Sequence, residues 1–225
     1  MIQLIDVSFQ YPDTPPLLQG VSVQFQPQQR IGIIALPGAG KSTLAKLLCG
    51  AINPSQGALL RDGSISWPLG FAGLFHPELN AVDNLQLLAN SSGESFTAML
   101  DWAILFGGLG DTLDKPLKLF TPQQRAMLGY CCSLAIPTDW LLADETLAVG
   151  GRPMLAQCEQ ALQQRLRHSG LIFISKNTQQ LKKHCQRFFA LIDGQLIECP
   201  DVDIAEQVLA QWHPHRSLSN GRRVQ

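Results

Sequence analysis

The stretch RIGIIALPGAGKSTLAKLL, Arg30–Leu48, joins a nearly continuous apolar run to a Pro/Gly loop and then to a helical pattern. The run Arg30–Ala35 reads as a strand buried on both faces. Leu44, Leu47, Leu48 and Ile52 then recur at helical spacing. Strand, glycine-rich loop and helix form the setting that a phosphate-binding loop requires. The usual pattern is G-x-x-x-x-G-K-[ST]; Gly40, Lys41 and Ser42 fill its end, Thr43 follows, and Ala35 stands where the first glycine belongs. Pro37, Gly38, Ala39 and Gly40 shape the loop, and the N–H groups from Gly38 to Ser42 point toward phosphates at a helix start. Lys41 is expected to reach the β- and γ-phosphates, and Ser42 to ligate Mg²⁺. If position 35 needs a positive φ, its alanine costs about 1 kcal/mol. The plainer alternative is a glycine-rich turn with Lys41 solvated, and the flanking strand and helix argue against it.

Working outward, the 225 residues are 45% hydrophobic and 16% charged, enough for one sizeable core. A net charge of -1 gives no electrostatic reason to expect nucleic acid as a partner. The six cysteines have no zinc-type spacing and read as small core residues in a reducing compartment. The opening MIQLIDVSFQYPD reads as a strand rather than a secretion leader. No apolar run approaches the roughly 20 residues that span a bilayer.

IQLIDVSFQY and GVSVQF alternate as half-buried strands do, which implies an antiparallel patch. Residues 76–135 read as an inserted helical subdomain. Within it, TPQQRAMLGYCCSLA begins with a capping box, Thr121 and Gln124, and has Pro122 at its first position. DWLLADE, Asp139–Glu145, reads as a buried strand ending in two carboxylates. PMLAQCEQALQQRLRHSG places Leu155, Cys158, Leu162 and Leu166 on one helix face, with Gly170 as its stop. LIFIS reads as another buried strand, and FFALIDGQLIE as a hairpin with an Asp-Gly turn. Strands alternating with helices predict an α/β core whose sheet is mostly parallel. A polar, mobile tail is expected from residue 213.

With these motifs in place, the chain resembles the nucleotide-binding subunits of ABC transporters over residues 1–212. LLADE looks like their Walker B strand, and Tyr11 in FQYP lies where an aromatic stacks on adenine; a simple strand-end aromatic is its alternative. GSISWPLGFAGLFHPELNAVDNL, Gly63–Leu85, narrows the resemblance to the ATP-binding subunits of capsular polysaccharide exporters. The resemblance implies ATP and Mg²⁺ as ligands, with Ser42 and Asp144 on the metal and Glu145 as general base. It implies pairing head to tail, with a second copy or with an intact ATPase subunit. It also implies a membrane permease as partner, at the cytoplasmic face of a bacterial inner membrane. Phe75, Pro77, Leu79 and Val82 are the candidates for the surface facing that permease.

Several positions depart from the family. FTPQQR stands in place of the signature sequence, so Thr121 keeps a hydroxyl but Gln123 replaces a glycine that must approach phosphate closely. His76 takes the place of a glutamine on Mg²⁺, and imidazole prefers softer metals; an ordinary loop histidine is its alternative. Lys176 replaces a histidine beside the γ-phosphate, and Gly151 an aspartate that couples the two sites. Lys41, Ser42, Asp144 and Glu145 remain, so nucleotide binding is expected to survive, with slow or absent hydrolysis in the isolated chain. A non-catalytic regulatory or scaffold partner of an exporter is the second reading, and a soluble small-molecule kinase the third.

Overall fold

The computed structural model describes residues 1–219. Its centre is a six-stranded sheet, and strand β3, Arg30–Ala35, lies inside it with both faces covered. β7, Gly170–Ser175, pairs parallel on one side of β3, and β8, Arg187–Ile192, pairs parallel on the other. β6, Trp140–Asp144, extends the sheet beyond β7, and β5, Ile65–Pro68, closes that edge. β9, Gln195–Cys199, is antiparallel to β8 across the Asp193–Gly194 turn, whose two residues both have positive φ. That is the conformation an Asp-Gly hairpin turn adopts.

The apolar strand runs have a physical explanation in the period of two. On β7, Ile172 and Ile174 enter one core while Leu171 and Phe173 enter the other; on β6, Trp140 and Leu142 oppose Leu141 and Ala143. One core lies between this sheet, helix α1, Lys41–Leu48, and a smaller antiparallel sheet. That smaller sheet has the order β2-β1-β4, from β1, Ile2–Phe9, β2, Leu18–Phe25, and β4, Gln56–Arg61. The second core packs the opposite face against the remaining helices.

Between β5 and β6 the chain runs through α2, Ala81–Ser92, α3, Phe96–Asp101, and α4, Pro122–Ala135. A π-helical turn, Trp102–Phe106, continues α3. α4 carries the expected capping box: Gln124 N–H donates to Thr121 Oγ1, and Thr121 N–H donates to the Gln124 side chain. Gly129 lets α4 press on the loop after β5, because a Cβ there would sit 2.7 Å from the Phe71 carbonyl oxygen. After β6 come α5, Arg152–Arg165, and, beyond β7, α6, Thr178–His184. α7, Val202–Ser219, follows β9; the rest of the tail expected to be mobile, residues 220–225, lies outside the described residues.

Three details differ from the sequence reading. Gly170 begins β7 instead of stopping α5, since a Cβ there would lie 2.6 Å from the Trp140 ring. Leu155 is exposed, so the buried stripe of α5 is carried by Cys158, Ala161 and Leu162. α1 ends at Leu48, and Ile52 packs on the core from the following turn.

Candidate nucleotide site

β6, β7 and β3 are adjacent and parallel, so their carboxyl ends converge, where ligands of open α/β sheets bind. β3 delivers the glycine loop, β6 delivers Asp144 and Glu145, and β7 delivers Ser175 and Lys176. Gly38 and Gly40 have φ of 81° and 94°, a region that side chains resist, so these two glycines make the loop possible. α1 starts at Gly40 with no side-chain cap, which leaves its first amides free for an anion. Ala35, by contrast, is not among the residues with positive φ; it is an extended, fully buried strand residue paired with Leu191. The missing first glycine therefore costs no backbone strain.

Lys41 Nζ lies 2.6 Å from Glu145 Oε1 and donates to the Ala35 carbonyl at 3.4 Å. Ser42 Oγ donates to Asp144 Oδ2 at 2.7 Å. Asp144 Oδ1 is buried and has no hydrogen-bond partner among the described residues. A buried oxygen of that kind calls for an unseen partner. The Asp144 carboxylate, whose other oxygen meets Ser42, and the Ser42 hydroxyl together offer hard oxygen donors, the kind that suits Mg²⁺. These residues fit the metal.

Glu145 is held at its backbone and at both carboxylate oxygens. Its φ is 62°, and its N–H donates to the Ile174 carbonyl at 2.8 Å. Oε2 accepts from Ser175 Oγ at 2.8 Å and from the Lys176 N–H at 3.2 Å. Burial pulls its carboxyl up, but hydrogen bonds from Lys41, Ser175 and Lys176 outweigh that and leave it below the usual carboxylate range. The carboxylate stays charged and aimed at the loop.

The other residues singled out from the sequence lie as follows. Pro37 is exposed on the loop and Thr43 is buried in α1. Ala39 N–H closes the loop onto the Leu36 carbonyl at 3.2 Å. Tyr11 meets Phe9 edge-on at 4.9 Å and heads the connection that ends at Leu17, against which Gly40 packs. Lys176 is exposed, and its contact with the site is through its backbone N–H. His76 is tied to the helical region, not to Ser42 or Asp144: its N–H donates to Asn84 Oδ1 at 2.7 Å. Its Nδ1 accepts from the Glu78 N–H at 3.3 Å, which puts the neutral ring's proton on Nε2 and leaves a donor there. Thr121 and Gln123 are exposed at the start of α4, whose contacts run to α3, α5, β5 and the π-helical turn. Phe75 and Val82 pack on the second core. Pro77 is exposed and Leu79 half-buried, while Phe71 and Leu74, also exposed, line a cavity of about 570 Å³ shared with Ser42 and Asp144.

Sequence reasoning missed Ser175 and Asn84. Ser175 carries a weak signal, as the polar end of an otherwise apolar strand one residue before Lys176. Asn84 carries none beyond a polar residue on an apolar helix face; it is buried, accepts the His76 N–H, and donates to the His76, Leu79 and Asn80 carbonyls.

A glycine loop at a helix start, a lysine, and a serine and aspartate paired across two elements define a P-loop nucleotide-binding protein. Comparison with known proteins narrows the class. Residues 18–148 match the family model described as ABC transporter, and the chain belongs to that family. It is 31% identical to the ATP-binding protein BexA of Haemophilus influenzae over 85% of this chain and 88% of that protein. It is also 31% identical to the capsule polysaccharide export ATP-binding protein CtrD of Neisseria meningitidis, over 84% of this chain and 88% of that one. Its fold matches the solved ATP-binding subunit of an ABC transporter, with TM-score 0.76 and 19% identity, covering 96% and 98% of the two chains.

Proposed function

We propose that this chain is the ATP-binding subunit of an ABC exporter that carries a capsular or other cell-surface polysaccharide across the bacterial inner membrane. The observation that supports this most is the meeting of Lys41, Ser42, Asp144 and Glu145 at the ends of adjacent strands, in a chain similar to capsule exporters' ATP-binding proteins. None of the described helices is long and apolar enough to cross a membrane. In this reading the chain meets its membrane through a permease subunit on the cytoplasmic face, and Phe71 and Leu74 are exposed apolar residues available to it. Residues 1–212 form the ATP-binding domain, with the helices of residues 76–135 as its inserted subdomain.

The chemistry follows from the geometry. The glycine loop and the start of α1 hold the phosphates, and Lys41 leaves Glu145 for the β- and γ-phosphates. Ser42 and Asp144 would hold Mg²⁺, which would supply charge neutralisation for the phosphates. Glu145 Oε1 then takes a proton from the attacking water as its oxygen bonds to the γ-phosphorus. The bond from phosphorus to the bridging oxygen breaks, and its electron pair leaves with ADP. A second ATP-binding subunit presents the start of its α4 to the γ-phosphate. Gln123 and Pro122 at that start remove a close backbone approach and an amide donor, and His76 is tied through its backbone to Asn84 in the helical region. Each lost donor typically slows turnover about 10²–10³-fold, so hydrolysis is slow.

The same exposed Gln123 favours a second reading, a nucleotide-gated partner of a competent ATPase subunit. Co-purification decides between them. A complex holding this chain and one permease supports the motor; a complex that also holds an intact ATPase subunit supports the partner role.

A further inference from the structure

The two oxygens of the Glu145 carboxylate are held by different parts of the molecule. Oε1 faces Lys41 alone, while Oε2 faces the end of β7. The Ser175 side chain is buried, at 1% exposure, on a strand whose backbone is paired on both sides. Its hydroxyl accepts from the Asn177 N–H at 3.1 Å. A hydroxyl has one proton to give. With a donor already on its lone pair, that proton points at Oε2, 2.8 Å away. Ser175 thus has a fixed rotor.

We infer that Ser175 is a positioning residue for ATP hydrolysis: its hydroxyl anchors Oε2 so that Oε1, once Lys41 moves to the phosphates, faces the attacking water. The inference rests on the proposed function, because it deepens the role of Glu145. The anchor is independent of Lys41, so it persists when nucleotide draws the lysine away. Glu145 cannot relax by backbone motion either, since its left-handed φ is pinned by the bond from its N–H to Ile174. The hydroxyl touches neither phosphate nor metal in this scheme, so its loss acts on the chemical step and not on ATP binding.

The test measures ATP turnover in the complex with its permease, for the wild type and for Ser175→Ala, Ser175→Cys and Ser175→Thr. Crystal structures of the nucleotide-free wild type and Ser175→Ala chains accompany it. The expected result is a kcat about 10–100-fold lower in Ser175→Ala, with KM for ATP changed less than about twofold. Ser175→Thr returns kcat to within about threefold of wild type, while Ser175→Cys, similar in size but a weak donor, stays low. In the crystal the Ser175→Ala carboxylate swings off the end of β7. An unchanged kcat, an equal loss in the threonine and alanine variants, or a rise in KM matching the fall in kcat overturns the inference. So does a carboxylate that stays in place. If the wild-type complex binds ATP but does not turn it over, the motor reading fails. The crystal comparison then decides the anchor: a displaced carboxylate supports it and an unmoved one overturns it.

Discussion

Lys41 and Glu145 form an ion pair of 2.6 Å across the mouth of the site, joining the loop after β3 to the residue after β6. In the proposed mechanism ATP separates these two side chains. The pair is partly exposed, with side-chain exposures of 13% and 35%, so solvent screens it and it contributes at most about 1 kcal/mol. Removing the carboxylate charge frees the lysine. Glu145→Gln is expected to bind ATP about two- to fivefold more tightly than wild type, measured by calorimetry with Mg²⁺ present.

Ala35 departs from the phosphate-loop pattern without departing from its geometry. Its backbone is a regular part of β3, so glycine offers no relief there. Ala35→Gly is expected to lower stability by about 0.5–1 kcal/mol through added chain entropy, with ATP affinity within about twofold of wild type. Chemical denaturation and a nucleotide titration read the two effects separately.

Tyr130 ties the segment that follows Glu145 to the helices. Its buried hydroxyl lies 3.0 Å from the Leu147 carbonyl and 3.2 Å from that of Cys158. Phenylalanine keeps the packing but withdraws the donor from two buried carbonyls. Tyr130→Phe is expected to cost about 1–3 kcal/mol in denaturant melts, with the ATP-binding constant nearly unchanged.

The parts of the molecule legible in the sequence are those that local chemistry dictates. Arg30–Ala35, the two strands of the Asp-Gly hairpin and the capped start of α4 emerge where apolar period and turn residues agree. β4 was not legible because five of its six residues are exposed and only its pairing with β1 makes it a strand. Gly170 reads as a helix stop and serves instead to let β7 pass under Trp140, a contact between residues 30 apart in sequence. In the site, Lys41 and Ser42 stood out by the loop pattern, and Asp144 and Glu145 as carboxylates ending a buried strand; the structure brings these four side chains together. The anchoring of Glu145 was not legible, because it depends on which strand ends beside β6, and strand order leaves no mark on a single segment. His76 was singled out for standing in place of a glutamine on Mg²⁺; its backbone is clamped to the helical region by Asn84, four residues into α2, a contact with no mark in the sequence.

Stability is expected to fall on mild acidification through a buried histidine, His184, and its half-exposed partner Glu159. His184 Nε2 lies 3.5 Å from Glu159 Oε2 between α6 and α5. Burial holds the imidazole below its ordinary value of 6.5; Glu159 pulls the other way, while Lys183 and Arg30 add to the effect of burial. The folded state thus prefers neutral His184. That contribution is complete above about pH 6.5 and is lost as pH falls from there toward the lower folded-state value. Glu159 is also depressed, because Lys183, Gln163 and His184 outweigh its burial, and its contribution is lost at still lower pH. His184→Gln is expected to flatten the thermal midpoint between about pH 7 and pH 5.5, read by a series of melts.

The most direct test of the central claim measures ATP binding and ATP turnover together, on the complex with its permease, for the wild type and Glu145→Gln. Both proteins are expected to bind Mg-ATP, with slow turnover by the wild type and none by the variant. Failure of the wild type to bind Mg-ATP, or equal turnover by the two proteins, would contradict the claim.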